Sequence, residues 1–311
     1  MKVSLDQVLK IAKTWKNSQY GASKKDIRLS FFVSDTASRD LLRDIRDAFV
    51  PQTPHGKLYI AGFGQTSGMP TLNKLAHVAL VIAGDNLTEA EALYRASASH
   101  RVPCAIVVDT RLVPHAAQEL GAFGVSVRDI IAVKSDACSK QIAEWLLGKL
   151  DEHESELVTN FVCCKDVVSR TTILTACRDN ALIGALQFLG RAETPLMLTN
   201  EVAMASKLSS VYNQKIEPKR LAEVAGLSAY SLVARGAARA VLKAVPLPAW
   251  LLKPAVAFGT TYVAGKALDY WYGSLGASAD SAKETTQNIV SGIQNALSQF
   301  TPKGQRNDYN S

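Results

Sequence analysis

The chain has 311 residues, of which 47% are hydrophobic and 20% are charged, and its formal net charge is +7. This composition is too apolar for a disordered protein, and a length of roughly 150 residues per domain suggests about two domains. The net charge is small for the length, so its distribution along the chain is more informative than its sum.

The cysteines and the N-terminal residues indicate the compartment. The five cysteines, at positions 104, 138, 163, 164 and 177, show no zinc-site spacing and no disulfide framework. Lysines interrupt the apolar positions of the N-terminal residues, unlike in a secretory signal, and the most apolar stretch, residues 244–265, contains three prolines and a lysine. We therefore expect reduced thiols, no metal site, no clear transmembrane helix and a cytoplasmic protein.

The first half of the chain has the pattern of an α/β domain. After an N-terminal helix over residues 1–26, short runs rich in β-branched residues alternate with amphipathic stretches as far as about residue 150, as in βαβ units. Strands are predicted at residues 27–33, 57–62, 78–83, 104–108 and 129–133. Helices are predicted between them, and Thr88 with Glu91 forms a candidate capping box. The pattern predicts a doubly wound, mostly parallel five-stranded sheet.

The second half lacks strand signals and favours an all-α domain. Helices are predicted at residues 139–150, 171–190, 202–213, 218–243 and 254–272. We expect a connecting segment over residues 151–177, a C-terminal helical bundle over 178–275, and an amphipathic helix with a polar tail over 276–311. Pro218 and Pro254 suit first-turn positions. Small residues at Ala257, Thr261 and Gly265 allow close helix packing, in lipid or in an ordinary bundle.

The turn after the first strand is the first place to look for a ligand, because doubly wound sheets bind ligands at the carboxyl ends of their strands. Here the turn over residues 33–40 reads VSDTASRD. A P-loop needs glycines to wrap the phosphates, a lysine to neutralise them and a Ser/Thr hydroxyl for magnesium. This turn has no glycine and no lysine, and it carries Asp35 and Asp40.

A smaller anion site remains open at the same place. The helix N-terminus offers free N–H groups, so Thr36, Ser38 and Arg39 are candidates for holding one anion, together with Gly62 and Gly64 after the second strand. The alternative is that the polar residues cap the helix and the glycines form a turn.

No arrangement for catalysis is found. The cysteines and histidines show no nucleophile–base motif, so structural roles are expected for His77 and His115. Asp109 ends the fourth strand, where a ligand-contacting carboxylate would lie, but it suits a turn equally well. We predict no catalytic residue and no cofactor, and enzymatic activity is not expected.

Two resemblances follow from these residues. The order of strands and loops over residues 27–150 resembles an Era-type small GTPase domain. Residues 178–272 resemble the YcjF-like domain of unknown function that follows such GTPase domains in bacteria. The second resemblance rests on NALIGA at 180–185, on PLMLTN at 195–200, and on the spacing from IEP at 216–218 through RG at 235–236 to AVA at 255–257 and GKAL at 265–268.

The GTPase resemblance implies a degenerate domain. The P-loop position reads VSDTASRD, and the magnesium-binding D-x-x-G position reads IAGFG at 60–64, without the Asp. The guanine-reading N-K-x-D position reads VDTR at 108–111. Because all three contact sets are altered, the resemblance does not imply GTP hydrolysis, and GTP binding is not expected.

The basic residues concentrate in the second half. Residues 201–275 contain nine Lys/Arg and four Asp/Glu, a balance of +5. Arg235, Arg239 and Lys243 stand on one helix face, shortly before Trp250 and Leu251. Such a face suits an anionic membrane surface, or it is simply solvated; nucleic acid is not expected, since no recognition motif is present.

Two hypotheses result from the sequence. The first is a non-catalytic, GTPase-like scaffold or adaptor whose helical domain engages a protein partner or the cytoplasmic face of a membrane. The second is a regulator that binds a nucleotide or phosphometabolite, or an atypical GTPase, using the turn after the first strand.

Overall fold

The structure is a computed structural model that describes residues 24–65, 67–134, 138–186, 193–214 and 249–274, with side chains except at 193–195 and 249–252. Several predictions lie outside these residues: the helix over 1–26, of which only 24–26 are described and are not helical, the helices over 218–243 and 276–311, and the basic face of Arg235, Arg239 and Lys243. Trp250 and Leu251 lie within a helix, but their side chains are not described.

The five predicted strands form one parallel sheet. Its strands are β1 (Ile27–Ser34), β2 (Gly56–Phe63), β3 (Val78–Ile82), β4 (Cys104–Asp109) and β5 (Ile130–Val133). Their order is β2-β1-β3-β4-β5, and all four neighbouring pairs are parallel. β3 and β4 are buried at every position, which explains their continuous apolar runs. The α/β prediction is therefore confirmed.

Helices cover both faces of the sheet. They are α1 (Arg39–Ala48), α2 (Leu87–Ser99), α3 (Ala116–Ala122), α4 (Cys138–Lys149) and α5 (Glu154–Asn160). One core cluster joins alternate β1 residues such as Leu29 to Leu41 of α1 and Ile142 of α4. The other joins Phe32 of β1 to Leu93 of α2 and Leu120 of α3. The sheet is thus doubly wound.

The start of α2 differs from the predicted capping box. The helix begins at Leu87, and the side chain of Asn86 caps it by accepting a hydrogen bond from the Thr88 N–H at 3.2 Å. Glu91 forms an ion pair with Arg95, one turn further along. The capping-box assignment was wrong because Asn86, an equally good cap, stands two residues earlier and captures the same N–H.

The chain divides into two compact units, and the α/β unit is Tyr20–Val168. The described helices of the second unit are the end of α6 (Val162–Ala185), α7 (Glu193–Val211) and α8 (Ala249–Ser274). They share a core of Ile173, Cys177, Met204, Ala205, Leu208, Leu268 and Tyr272. Among the described residues, no helix combines the length and hydropathy needed to cross a membrane.

The position of Pro254 differs from the prediction. α8 begins at Ala249, so Pro254 lies inside the helix and not in its first turn. Since proline removes one N–H from the helical ladder, a position near the helix start is less costly than a central one.

A polar network lies inside this helical unit. Asn180 of α6 is fully buried and donates to the Thr261 hydroxyl of α8 at 2.9 Å. Asn200 of α7 donates to the Asn180 side-chain oxygen at 3.1 Å. These bonds satisfy buried amide groups and connect all three helices.

Candidate functional site

The strand order determines where a ligand crevice would form. The helix after β1 packs on one face of the sheet and the helix after β3 packs on the other. In sheets of the order 2-1-3-4-5, ligands bind at the carboxyl ends of strands beside this switch point. The turn after β1 and the segment after β3 therefore form the candidate site.

Side chains from both segments already bond to each other at this point. The Thr36 hydroxyl donates to Asp85 Oδ1, and the Asp85 backbone N–H donates to Thr36 Oγ1 at 3.2 Å. A Cβ added to Gly84 would lie 2.7 Å from the backbone carbonyl carbon of Thr36. The turn after β1 and the segment after β3 therefore contact each other directly at the switch point.

The loop after β2 is held against the same turn. Asp35 accepts hydrogen bonds from the Ser67 hydroxyl at 2.8 Å and from the Ser67 N–H at 3.3 Å. Gly64 has φ +134°, and a Cβ there would lie 2.7 Å from Asp35 Oδ2. Gly64 and Gly68 also pair through their backbones. Gly64 is therefore a turn residue against which a carboxylate packs.

The end of β4 contains an ion pair. Asp109 is 2% exposed, and Arg111 donates to both of its oxygens, from Nε to Oδ1 at 3.1 Å and from Nη2 to Oδ2 at 2.7 Å. The hydrogen bonds from Arg111 lower the pKa of Asp109 below its ordinary value, against the opposing effect of burial, and a hydrogen bond from Ser38 lowers it further. Asp109 is therefore ionised, and both of its carboxylate oxygens already accept hydrogen bonds.

The residues predicted to hold an anion are in part brought together. Ser38 precedes α1 but makes no side-chain capping bond, and it reaches Asp109 instead. Thr36 and the segment at Gly62 and Gly64 flank Asp35 from two sides, while Arg39 is exposed at the first position of α1.

Sequence reasoning missed Ser67 and Asp85 as members of this cluster. Asp85 follows β3 as Asp35 follows β1, and this repeated placement of a carboxylate after a buried strand was the available signal. Within the described residues, no group of three or more His, Cys, Asp or Glu side chains has metal-site geometry. The edge of the sheet at the carboxyl ends of the strands therefore carries several carboxylates, but those that the structure describes are not grouped as in a metal site.

Four of the described cysteines, Cys104, Cys138, Cys164 and Cys177, are not activated nucleophiles. All five are free thiols. Burial raises the pKa of Cys104 to about 12 and that of Cys177 to about 11, and it also raises that of Cys138. A hydrogen bond with Cys163 and burial raise the pKa of Cys164. These four thiols are protonated at neutral pH, whereas a catalytic cysteine needs a lowered pKa.

Comparison of the chain with protein-family models, with curated proteins and with solved structures finds no match.

Proposed function

We propose that the α/β unit is a non-catalytic, GTPase-like scaffold that does not use a nucleotide. The observation that carries this proposal is the turn between β1 and α1. It has only four residues, 35–38, and none of them is a glycine or a lysine. A phosphate-cradling loop needs a longer wrap of backbone N–H groups and a cation.

The charges around this turn also argue against a polyphosphate. Asp35 and Asp85 accept hydrogen bonds from the neighbouring segments, and Asp40 lies in the first turn of α1. Phosphate groups placed beside three carboxylates would be repelled unless a metal lay between them. In the GTPase resemblance, the guanine-reading N-K-x-D position reads VDTR at 108–111, so Arg111 stands where the base-binding aspartate would be. Arg111 is a cation that already binds both oxygens of Asp109, so this position offers no carboxylate to a guanine base.

A thermal-shift series tests this half of the proposal. The full chain is melted with GTP, GDP or ATP, each with and without magnesium. We expect no nucleotide-dependent rise in melting temperature, since a ligand that does not bind the folded state adds no stability. Binding at a hundredfold excess over Kd would add about 2.7 kcal/mol, which is easily measured. A saturable rise that Arg39→Glu abolishes would instead establish the alternative function, a nucleotide- or phosphometabolite-binding regulator.

We further propose that the helical half is the interacting part and that it engages an anionic membrane surface or a protein partner at the cytoplasmic face of a membrane. The support is the balance of +5 over residues 201–275, against a composition elsewhere that is closer to neutral. Each Lys or Arg near an anionic bilayer contributes about 1 kcal/mol to binding. Flotation of the chain with neutral and anionic vesicles tests this half. Equal flotation with both vesicle types would contradict the anionic membrane surface and leave the protein partner.

A further inference from the structure

The helical unit has an open cleft between α6 and α8. Its volume is about 300 Å³, and its lining residues are Arg170, Ile173, Leu174, Tyr262 and Lys266. The floor is apolar, because Ile173 is 1% exposed and packs against Gly265, where an added Cβ would lie 2.8 Å from Ile173 Cγ2. The close packing of α6 and α8 therefore forms the floor of the cleft, and the exposed side chains of Arg170, Tyr262 and Lys266 form its rim.

The cleft is positively charged. Two of its five lining residues are cations, and no carboxylate lines it. Lys266 also bonds Asp269 at 3.1 Å, one turn along α8. Arg170 is exposed, and it makes no ion pair within the part of the chain that the structure describes. An anion in the cleft would thus lie beside two cationic side chains, Arg170 and Lys266, and beside Tyr262.

Exposed aromatic rings continue this face along α8. Phe258 and Tyr262 are 37% and 40% exposed, and their rings are stacked with centroids 6.5 Å apart and planes 9° from parallel. With Lys266 they occupy positions i, i+4 and i+8, so they form one stripe of the helix. Aromatic rings beside cations on an exposed stripe are typical of helices that lie at a membrane interface.

We propose that the cleft between α6 and α8 binds the phosphate-bearing headgroup of an anionic membrane lipid. Arg170 and Lys266 donate to the phosphate, and the rings of Phe258 and Tyr262 enter the interfacial layer of the bilayer. The inference rests on the proposed membrane engagement of the helical half and names its contact surface. A lipid fits better than free phosphate, because the exposed rings and Leu174 offer apolar contacts that a free ion would not use.

The test is flotation of the full chain with vesicles of phosphatidylcholine alone and of phosphatidylcholine mixed with phosphatidylglycerol. We expect binding to the mixed vesicles only. Arg170→Glu reverses one charge in the cleft and should lower the partition coefficient roughly tenfold or more. Arg178→Glu makes the same change two turns further along α6, outside the cleft, and should lower it only slightly.

Further arms separate the remaining outcomes. Phe258→Ser should weaken binding without a change of charge. If Arg170→Glu and Arg178→Glu weaken binding equally, or if only the Arg235→Glu/Arg239→Glu/Lys243→Glu variant does, the cleft is not the contact surface while membrane engagement stands. If the wild-type chain binds neither vesicle, membrane engagement fails as well. An Arg170-dependent rise in melting temperature with inorganic phosphate, without vesicle binding, would identify a small-anion site and overturn the lipid assignment.

Discussion

Asp109 and Arg111, two residues apart at the carboxyl end of β4, form an ion pair in which both carboxylate oxygens are bound by the guanidinium, at 3.1 and 2.7 Å. The Arg111 backbone N–H adds a third bond to Oδ1 at 2.9 Å. The pair closes the turn after β4 with a carboxylate that is almost fully buried. Arg111 and Ser38 supply its hydrogen bonds, so this carboxylate, which lies where a ligand contact would be expected, stabilises the fold instead.

The first prediction concerns this pair. Asp109→Asn keeps the size of the side chain but removes its charge, and it leaves a poorer acceptor for the hydrogen bonds from Arg111 and Ser38. We expect the free energy of unfolding to fall by about 1–3 kcal/mol, the usual effect of disrupting buried, charge-assisted hydrogen bonds. Because the pKa of Asp109 is lowered in the folded state, the stabilisation is present above the unfolded-state pKa and disappears as the pH falls through the folded-state pKa. Chemical denaturation at neutral and acidic pH measures both effects.

The matched control is Asp47→Asn. Asp47 also pairs with a nearby arginine, Arg46 at 2.7 Å, but the two side chains are 61% and 73% exposed. Solvent screens such a pair, so its loss should change the free energy of unfolding by less than about 1 kcal/mol. Equal effects of the two substitutions on the free energy of unfolding would show that burial does not strengthen the Asp109–Arg111 ion pair.

The second prediction concerns the contact at the switch point. Gly84→Ala would place a Cβ 2.7 Å from a backbone atom of Thr36, so one of the two segments must shift. We expect the free energy of unfolding, measured by chemical denaturation, to fall by about 1–3 kcal/mol, as for overpacking in a core. Gly148→Ala is the control, because Gly148 is exposed in α4 and nothing lies within 4 Å of the added Cβ. There the higher helix propensity of alanine should raise the melting temperature.

The third prediction concerns His77, which precedes β3. Its Nδ1 accepts a hydrogen bond from the Arg28 N–H at 3.0 Å, and its ring packs against His153 with centroids 4.7 Å apart. Burial, then the nearby His153 and Arg28, lower its pKa, and Glu156 opposes them. The folded state thus disfavours the protonated ring, so stability falls as the pH drops below about 6.5, the unfolded-state pKa.

Melting curves between pH 7.5 and 5 check this prediction for the wild type and for His77→Asn, whose side-chain oxygen can replace Nδ1 as acceptor. We expect the variant to lose less stability on acidification. His100→Asn, at an exposed helix end, should keep the wild-type profile. A His77→Asn profile that parallels the wild type would assign the acid sensitivity to other groups.

The secondary structure of the α/β unit could be predicted because its signals are local. β3 and β4 are short apolar runs buried on both faces, which few other structures accommodate. The same pattern of strands also predicts which edge of the sheet holds the candidate site. It does not predict which side chains bond to each other there, because Thr36 and Asp85 are 49 residues apart, and Asp35 and Ser67 are 32 apart. Periodicity locates side chains on an edge, but the packing of the loops decides which of them bond.

Helix starts were harder to predict, because several residues compete for each cap. Asn86 displaced Thr88, and α8 extends past Pro254 to Ala249. The small residues of the stripe on α8, Ala257, Thr261 and Gly265, are all buried, as expected for close helix packing. Gly259, on another face of the same helix, is exposed, and nothing lies within 4 Å of a Cβ added there.

The last prediction tests this stripe at its closest contact. Gly265→Ala would place a Cβ 2.8 Å from Ile173 Cγ2 and 3.1 Å from Met204 Sδ, both of them in buried side chains. The Cγ2 methyl of Ile173 can move away only by rotation about χ1, which is strongly restricted for a β-branched residue in a helix. α6 and α8 must therefore separate slightly, at a cost of about 1–3 kcal/mol that exceeds the helix-propensity gain of about 1 kcal/mol from replacing glycine.

Gly259→Ala supplies the opposite expectation on the same helix. Nothing lies within 4 Å of its added Cβ, so only the propensity gain remains, and the helical unit should become more stable. Urea unfolding followed by far-ultraviolet circular dichroism measures both variants. Opposite signs are expected because the two glycines differ in packing and not in backbone conformation; a stabilising Gly265→Ala would mean that α6 and α8 do not approach as closely as Ile173 and Gly265 indicate.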